Sequence, residues 1–192
     1  MLKLLLMSNK NAENTYKLSR IIYNEEQISK RVSEVGRQIT KDYSDKVDDG
    51  IVVISILKGA AIFMADLVRN INLDIEIDFI TVSSYRSIKS SGKVNIEKDI
   101  SSDIAAKHVI IVEDIIDTGL TLECLSNYFK DRGAKSIKIC TFLDKHRSNR
   151  EIDIAYTCFD CPDEFIVGYG LDFDQKFRNL SYVSSLECEL KD

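Results

Sequence analysis

Tryptophan is absent from this chain, proline occurs once and histidine twice. With only eight glycines besides, a collagen-like repeat or a low-complexity linker is excluded. A basic excess is also missing. Lys+Arg is 26 against 31 Asp+Glu, a net charge of −5, and the basic residues are scattered, which argues against a general nucleic-acid binder. No apolar run approaches the ~18 residues needed to span a membrane. The stretch Leu4 to Met7 is shorter than the ~7–15 residues of a secretory core, and Ser8-Asn9-Lys10-Asn11 follows it instead of a cleavage site. A cytoplasmic protein that binds neither membrane nor nucleic acid is expected. Metal-finger spacing is lacking too. Cys158 and Cys161 form one CxxC with no second pair, and His108 and His146 are not at finger spacing. Reduced, mostly buried thiols are the expectation.

What is present describes a folded α/β chain. Hydrophobic residues make up 44% and charged residues 30% of 192. A chain of this length buries roughly 70% of its unfolded surface without a metal or disulfide. Ile28, Val32, Val35 and Ile39 share one helical face, and Asn24 is placed to cap that helix, with Glu25, Glu26 and Gln27 in its first turn. Ile51 to Leu57 is a β-branched run, the mark of a strand buried on both faces. Lys58-Gly59 ends it, and Ala60 to Arg69 reads as a helix. Ile75, Ile77 and Phe79 alternate with Glu76 and Asp78, so this strand is expected to be more exposed on one face. Ser83 to Lys93 is polar and reads as a loop long enough to be a lid. Val109 to Val112 is a buried strand, Leu120 to Arg132 a helix ending at Gly133, and Ser136 to Leu143 a strand. Weaker strand signals lie at 152–157, 165–167 and 182–186. Alternating strands and helices imply one α/β domain over residues 1–192, a twisted, mainly parallel sheet with helices on both faces, and a small hood built from the chain ends. Ligands of such sheets sit beyond the carboxyl ends of the strands, here after Leu57, Val112 and Leu143.

The chemistry concentrates after the second buried strand. Glu113-Asp114-Ile115-Ile116-Asp117-Thr118-Gly119-Leu120-Thr121 places three carboxylates in five residues, then two hydroxyls, a glycine and a helix start. An acidic surface loop is the plainer explanation, but four apolar residues immediately before it argue otherwise. Successive backbone amides at a helix N-terminus cradle a phosphate, and Gly119 permits close approach. Carboxylates beside them can accept hydrogen bonds from a diol. A ribose 5-phosphate satisfies both halves. Neither a Walker A loop nor a GxGxxG fingerprint is present.

The run Val109 to Gly119 resembles the phosphoribosyl-pyrophosphate (PRPP) signature of type I phosphoribosyltransferases. Further segments resemble, in order, the hypoxanthine(-guanine) branch of that family. Leu57-Lys58-Gly59 is similar to its pyrophosphate loop and Ser83-Ser84-Tyr85 to the start of its mobile loop, here about 83–93. Leu143-Asp144-Lys145 is similar to its purine-recognition lysine segment. Pro162 to Asp172 is similar to its purine clamp, and Phe177-Arg178-Asn179-Leu180 to its C-terminal arginine segment. The likeness covers a core of about 20–187. Leu120 stands where longer animal members carry lysine, which matches the shorter bacterial type. His146 stands where bacterial members often have proline, and Arg86-Ser87-Ile88 is less glycine-rich than usual.

The resemblance implies purine salvage: attack of N9 of hypoxanthine, and guanine, on C1 of PRPP, with Mg2+ as cofactor and pyrophosphate leaving. It implies Asp117 as general base at the purine; read alone, Asp117 could equally cap a helix. Asp117, Thr118, Gly119, Leu120 and Thr121 would hold PRPP at its 5-phosphate. Glu113 and Asp114 would hold the ribose hydroxyls and, with Asp172, the metal region. Lys58, Gly59 and Arg178 would hold pyrophosphate; alone, Lys58 reads as a solvated strand end and Arg178 as a surface ion pair. Lys145 would donate to the purine 6-oxo group, with Phe165 stacking, Ile166 reading through its backbone and Asp172 near the base. Alone, Phe165 and Ile166 read as core residues and Asp172 as a turn aspartate. A cis peptide between Leu57 and Lys58 and a homodimer or homotetramer are implied as well. A xanthine-preferring transferase, or a PRPP-sensing nucleic-acid-binding regulator on the same fold, are the alternatives. The regulator should carry a basic face and lack the purine clamp.

Overall fold

The structure is a computed structural model that describes residues 14–84, 94–146 and 152–190. Most of the expected mobile loop, Tyr85 included, lies outside the described residues, as does the apolar stretch at 4–7.

The described residues form nine strands and three α-helices, in the order β1 (Asn14–Tyr23), α1 (Glu25–Tyr43), β2 (Ile51–Leu57), α2 (Ala61–Val68), β3 (Glu76–Ser84), β4 (Val94–Lys98), β5 (His108–Ile116), α3 (Leu120–Asp131), β6 (Ser136–Asp144), β7 (Ile154–Asp160), β8 (Ile166–Val167) and β9 (Val183–Leu190). Six strands form the main sheet in the order β4-β3-β2-β5-β6-β7. All neighbours in it are parallel except β4, which runs antiparallel along the β3 edge. A second sheet, β1-β9-β8, is made of the two chain ends.

The β-branched run of β2 explains why it sits centrally. Ile51 and Val53 join the core cluster under α1 and α2, whereas Val52, Ile54 and Ile56 join the cluster under α3. Helices therefore cover both faces of the sheet, as a parallel sheet requires. The helix α1 begins at a full capping box: Asn24 Oδ1 accepts from the Gln27 amide, and Gln27 Oε1 accepts from the Asn24 amide, both at 2.9 Å. Ile28, Val32, Val35 and Ile39 are all buried, as their spacing requires. Gly133 follows α3 with φ +83°.

Three features depart from the sequence pattern. The strand carrying Glu113 and Asp114 does not stop at Val112 but continues to Ile116, so both carboxylates project from β5 itself. Ser83 and Ser84 likewise extend β3 rather than open a loop, and β4 pairs back onto them. The alternation along β3 is partly inverted: Ile77 is 52% exposed and Asp78 only 5%. Asp78 is drawn in because its Oδ2 accepts the backbone amides of Ser101 and Ser102, each at 2.7 Å, where β4 no longer pairs with the edge.

Candidate active site

The register of the central strands assembles the site. Ile116 on β5 pairs with Asp144 on β6, and Leu57 on β2 pairs with Thr81 on β3, so the chain leaves all four strands at one edge of the sheet. The residue after β5 is Asp117 and the residue after β6 is Lys145. The Lys145 amide donates to the Ile116 carbonyl at 3.0 Å, fixing the two strand exits side by side. The Lys145 ammonium then stands 3.6 Å from the Asp117 carboxylate. A recess of about 210 Å³, lined by Lys145, Cys161, Pro162 and Asp163, opens beside it.

Beyond Asp117 the chain turns through Gly119, whose φ of +77° is a left-handed conformation that costs a side-chain-bearing residue more. Gly119 has no side chain with which to cap α3. The helix start is thus presented with Thr118 and the half-exposed Leu120 around it, in the arrangement by which helix N-termini receive anionic oxygens.

Asp114 and Glu113 stand three and four residues before Asp117, still on β5, both partly buried. The Asp114 amide donates to Glu113 Oε1 at 3.1 Å. Burial, together with the adjacent Asp114 carboxylate, holds Glu113 well above the usual carboxylate range. Two hard carboxyl groups this close are suited to share a cation, whose charge would favour the ionised form of both, or the donors of a diol. Asp172 is not part of this pair. Its Oδ1 lies 2.6 Å from the Arg178 guanidinium, and its Oδ2 accepts the Gln175 amide at 2.9 Å. Among the described residues, no group of three or more His, Cys, Asp and Glu side chains stands ready to hold a metal unaided, so substrate oxygens would have to complete any such sphere.

Lys58 and Gly59 follow β2 through a cis peptide between Leu57 and Lys58. Gly59 has no room for a side chain: a Cβ there would overlap the Asp114 carboxylate. Gly170, with φ +99°, packs just as tightly on the Gly59 carbonyl. The loop at 58–59 is therefore wedged between Asp114 and the 168–178 loop. Arg178 donates to the Gly170 carbonyl at 2.6 Å, while its Nε is buried and finds no partner among the described residues.

Phe165 is 56% exposed, against its reading as a core residue, and meets Phe173 edge-on at 5.6 Å between centroids. Ile166 is buried at the start of β8. Sequence reasoning missed Gln175, whose side-chain oxygen accepts from Lys58 at 3.3 Å and lies 3.5 Å from Arg178. A polar turn residue three positions before an arginine carries no signal of its own. Nor did the sequence reveal Gly170, whose role is steric. Cys140 and Cys158 are buried and Cys124 and Cys161 partly so, all four as free thiols. Burial pushes the Cys158 thiol up to about 12.

The mainly parallel sheet thus carries adjacent carboxylates and a helix start at one exit edge. The phosphoribosyl transferase domain model matches residues 19–174, and the chain belongs to that family. It is 45% identical over 175 residues to a hypoxanthine-guanine phosphoribosyltransferase of Streptococcus pneumoniae, covering 90% of this chain and 96% of that one. It is 46% identical over 171 residues to a hypoxanthine phosphoribosyltransferase of Haemophilus influenzae, covering 88% and 96%. The crystal structure of a hypoxanthine phosphoribosyltransferase from Staphylococcus aureus superposes with a TM-score of 0.82 at 42% identity, covering 88% of this chain and 92% of that one.

Proposed function

We propose that this chain is a purine-salvage enzyme that transfers the 5-phosphoribosyl group of PRPP to N9 of hypoxanthine or guanine, giving IMP or GMP and pyrophosphate. The observation that carries the reading is the Lys145–Asp117 pair at adjoining strand exits. It offers one donor-only group and one proton acceptor, which is what a 6-oxopurine requires along one edge.

Glu113 and Asp114 fit a Mg2+ ion by the chemistry of their oxygens; when bound, the ion supplies neutralising charge for the pyrophosphate leaving group. Asp114 and Glu113 accept from the ribose diol. Thr118, Gly119, Leu120 and Thr121 hold the 5-phosphate through backbone amides and hydroxyls. Lys58, Gly59 and Arg178 take the pyrophosphate group, to which the unpartnered Nε–H of Arg178 adds a donor. Phe165 presents an exposed ring for stacking on the base, and Asp172 orients Arg178. Asp117 accepts the proton displaced from the purine as the bond to C1 forms. Positive charge develops on the ribose in such a glycosyl transfer, so catalysis consists of leaving-group stabilisation, positioning and one proton movement.

The same reading makes the protein cytoplasmic and a homodimer or homotetramer. Among the described residues no helix is long and apolar enough to cross a membrane. The test is a product assay with PRPP and each of hypoxanthine, guanine, xanthine and adenine, with Mg2+ and with EDTA. IMP and GMP formation that EDTA abolishes is expected. Turnover of xanthine alone would move the chain to the xanthine-preferring alternative, and no turnover of any base would sink the reading.

A further inference from the structure

Lys58 and Arg178 approach the pyrophosphate subsite from different elements, the exit of β2 and the loop before β9. They share one acceptor: Gln175 Oε1, at 3.3 Å from Lys58 Nζ and 3.5 Å from the Arg178 guanidinium. The approach is built into the backbone. Asp172 Oδ2 accepts the Gln175 amide at 2.9 Å, closing a tight turn, while Asp174, Gln175 and Phe177 all adopt positive φ, at 50°, 61° and 72°. Left-handed conformations are rare for residues with side chains, and an ordinary surface turn would use glycine or asparagine there. The turn's other end is anchored where Arg178 donates to the Gly170 carbonyl and pairs with Asp172. Gln175 is itself exposed and packs into no core cluster, so apolar burial does not hold its side chain between the two cations.

We infer that Gln175 is a positioning residue whose amide oxygen stands in for a pyrophosphate oxygen, holding Lys58 and Arg178 together in the unliganded site and competing with the incoming phosphate group. The inference rests on the pyrophosphate roles proposed above for Lys58 and Arg178. A neutral acceptor suits this task. At 3.3 and 3.5 Å its two contacts are long, so a charged oxygen, which makes hydrogen bonds roughly twice as strong, can displace it while Arg178 keeps its pair with Asp172. It would also ease departure of the product by reoccupying the two donors as pyrophosphate leaves.

The experiment is titration calorimetry of inorganic pyrophosphate with Mg2+ into the full chain and into two variants. Gln175→Met keeps the length and removes the competing oxygen, so pyrophosphate should bind about threefold to tenfold tighter, the range one net hydrogen bond supplies. In turnover its KM for PRPP should fall, and kcat should fall with it where product release is limiting. Gln175→Glu puts a carboxylate between the two cations, so pyrophosphate should bind about tenfold or more weakly. A residue that merely braces the turn would make both substitutions weaken binding. Equal affinities in all three proteins, or weakening in both variants, would overturn the inference. Failure of the unsubstituted chain to bind pyrophosphate would instead overturn the assignment of Lys58 and Arg178, and the inference with it.

Discussion

Lys145 Nζ and Asp117 Oδ2 face each other across 3.6 Å, each on the first residue beyond a neighbouring parallel strand. The pair is partly solvated, with the lysine side chain 26% and the aspartate 48% exposed. Such a pair contributes little to stability, at most about 1 kcal/mol. In the proposed function its significance is positional: one base edge would meet both groups at once.

Asp117→Asn keeps the shape of the turn and leaves the phosphate cradle intact. PRPP binding should therefore persist, while kcat for hypoxanthine falls about 10²-fold or more, because the proton acceptor is gone. Steady-state kinetics with a parallel PRPP titration would check this. Turnover near that of the unsubstituted chain would remove the general-base role.

Base choice should follow Lys145. An ammonium has donors only, so it bonds a 6-oxo group and leaves both partners unsatisfied against a 6-amino group. Sites built on such a contact reject the wrong partner by about 10⁴-fold or more. Hypoxanthine and guanine should react and adenine should be nearly inert. Lys145→Gln, which can present donor or acceptor, should lose 6-oxopurine activity and narrow the gap to adenine. An unchanged hypoxanthine-to-adenine ratio would contradict the assignment.

Gly59→Ala tests the wedge. The added methyl group meets Asp114 directly, so the loop at 58–59 or the carboxylate must move. Misplacement by about 1 Å costs on the order of 10²-fold in catalysis, and kcat/KM for PRPP should fall by about that much while the chain still folds. Unaltered kcat/KM would show that the contact has no bearing on the reaction.

Acid stability should register Asp78. Burial opposes its ionisation, but the amides of Ser102, Phe79 and Ser101 outweigh burial and bring it down to about 2. A carboxyl group lowered in the folded chain stabilises it above its unfolded pKa of about 3.9 and loses that contribution as pH falls through the folded value. About 2 kcal/mol should disappear between pH 5 and pH 2. Urea unfolding across that range should show a shallower pH dependence in Asp78→Asn, alongside a lower stability at pH 6 from the weakened amide contacts. Identical slopes would assign the acid sensitivity elsewhere.

The order and type of most central elements were legible in the sequence because each depends on local pattern. A β-branched run buried on both faces has one reading, and Ile28, Val32, Val35 and Ile39 have one helical face. Asn24 reads as the helix cap by residue type alone, although its reciprocal bond with Gln27 is seen only in the structure. Glu113 to Thr121 is a continuous stretch, so the carboxylates and the glycine-led helix start could be read together, and their likeness to a known signature named the family. What a continuous pattern cannot carry is distance between segments. Strand register brought Asp117 beside Lys145, and close packing at Gly59 and Gly170 wedged the loop at 58–59. Backbone amides from Ser101 and Ser102 turned Asp78 inward against its alternation. Left-handed backbone at Gln175 carried an unremarkable glutamine between two cations. Local preference needs only neighbours in sequence, whereas these contacts are decided by long-range packing, where a few competing hydrogen bonds and two missing Cβ atoms set the outcome.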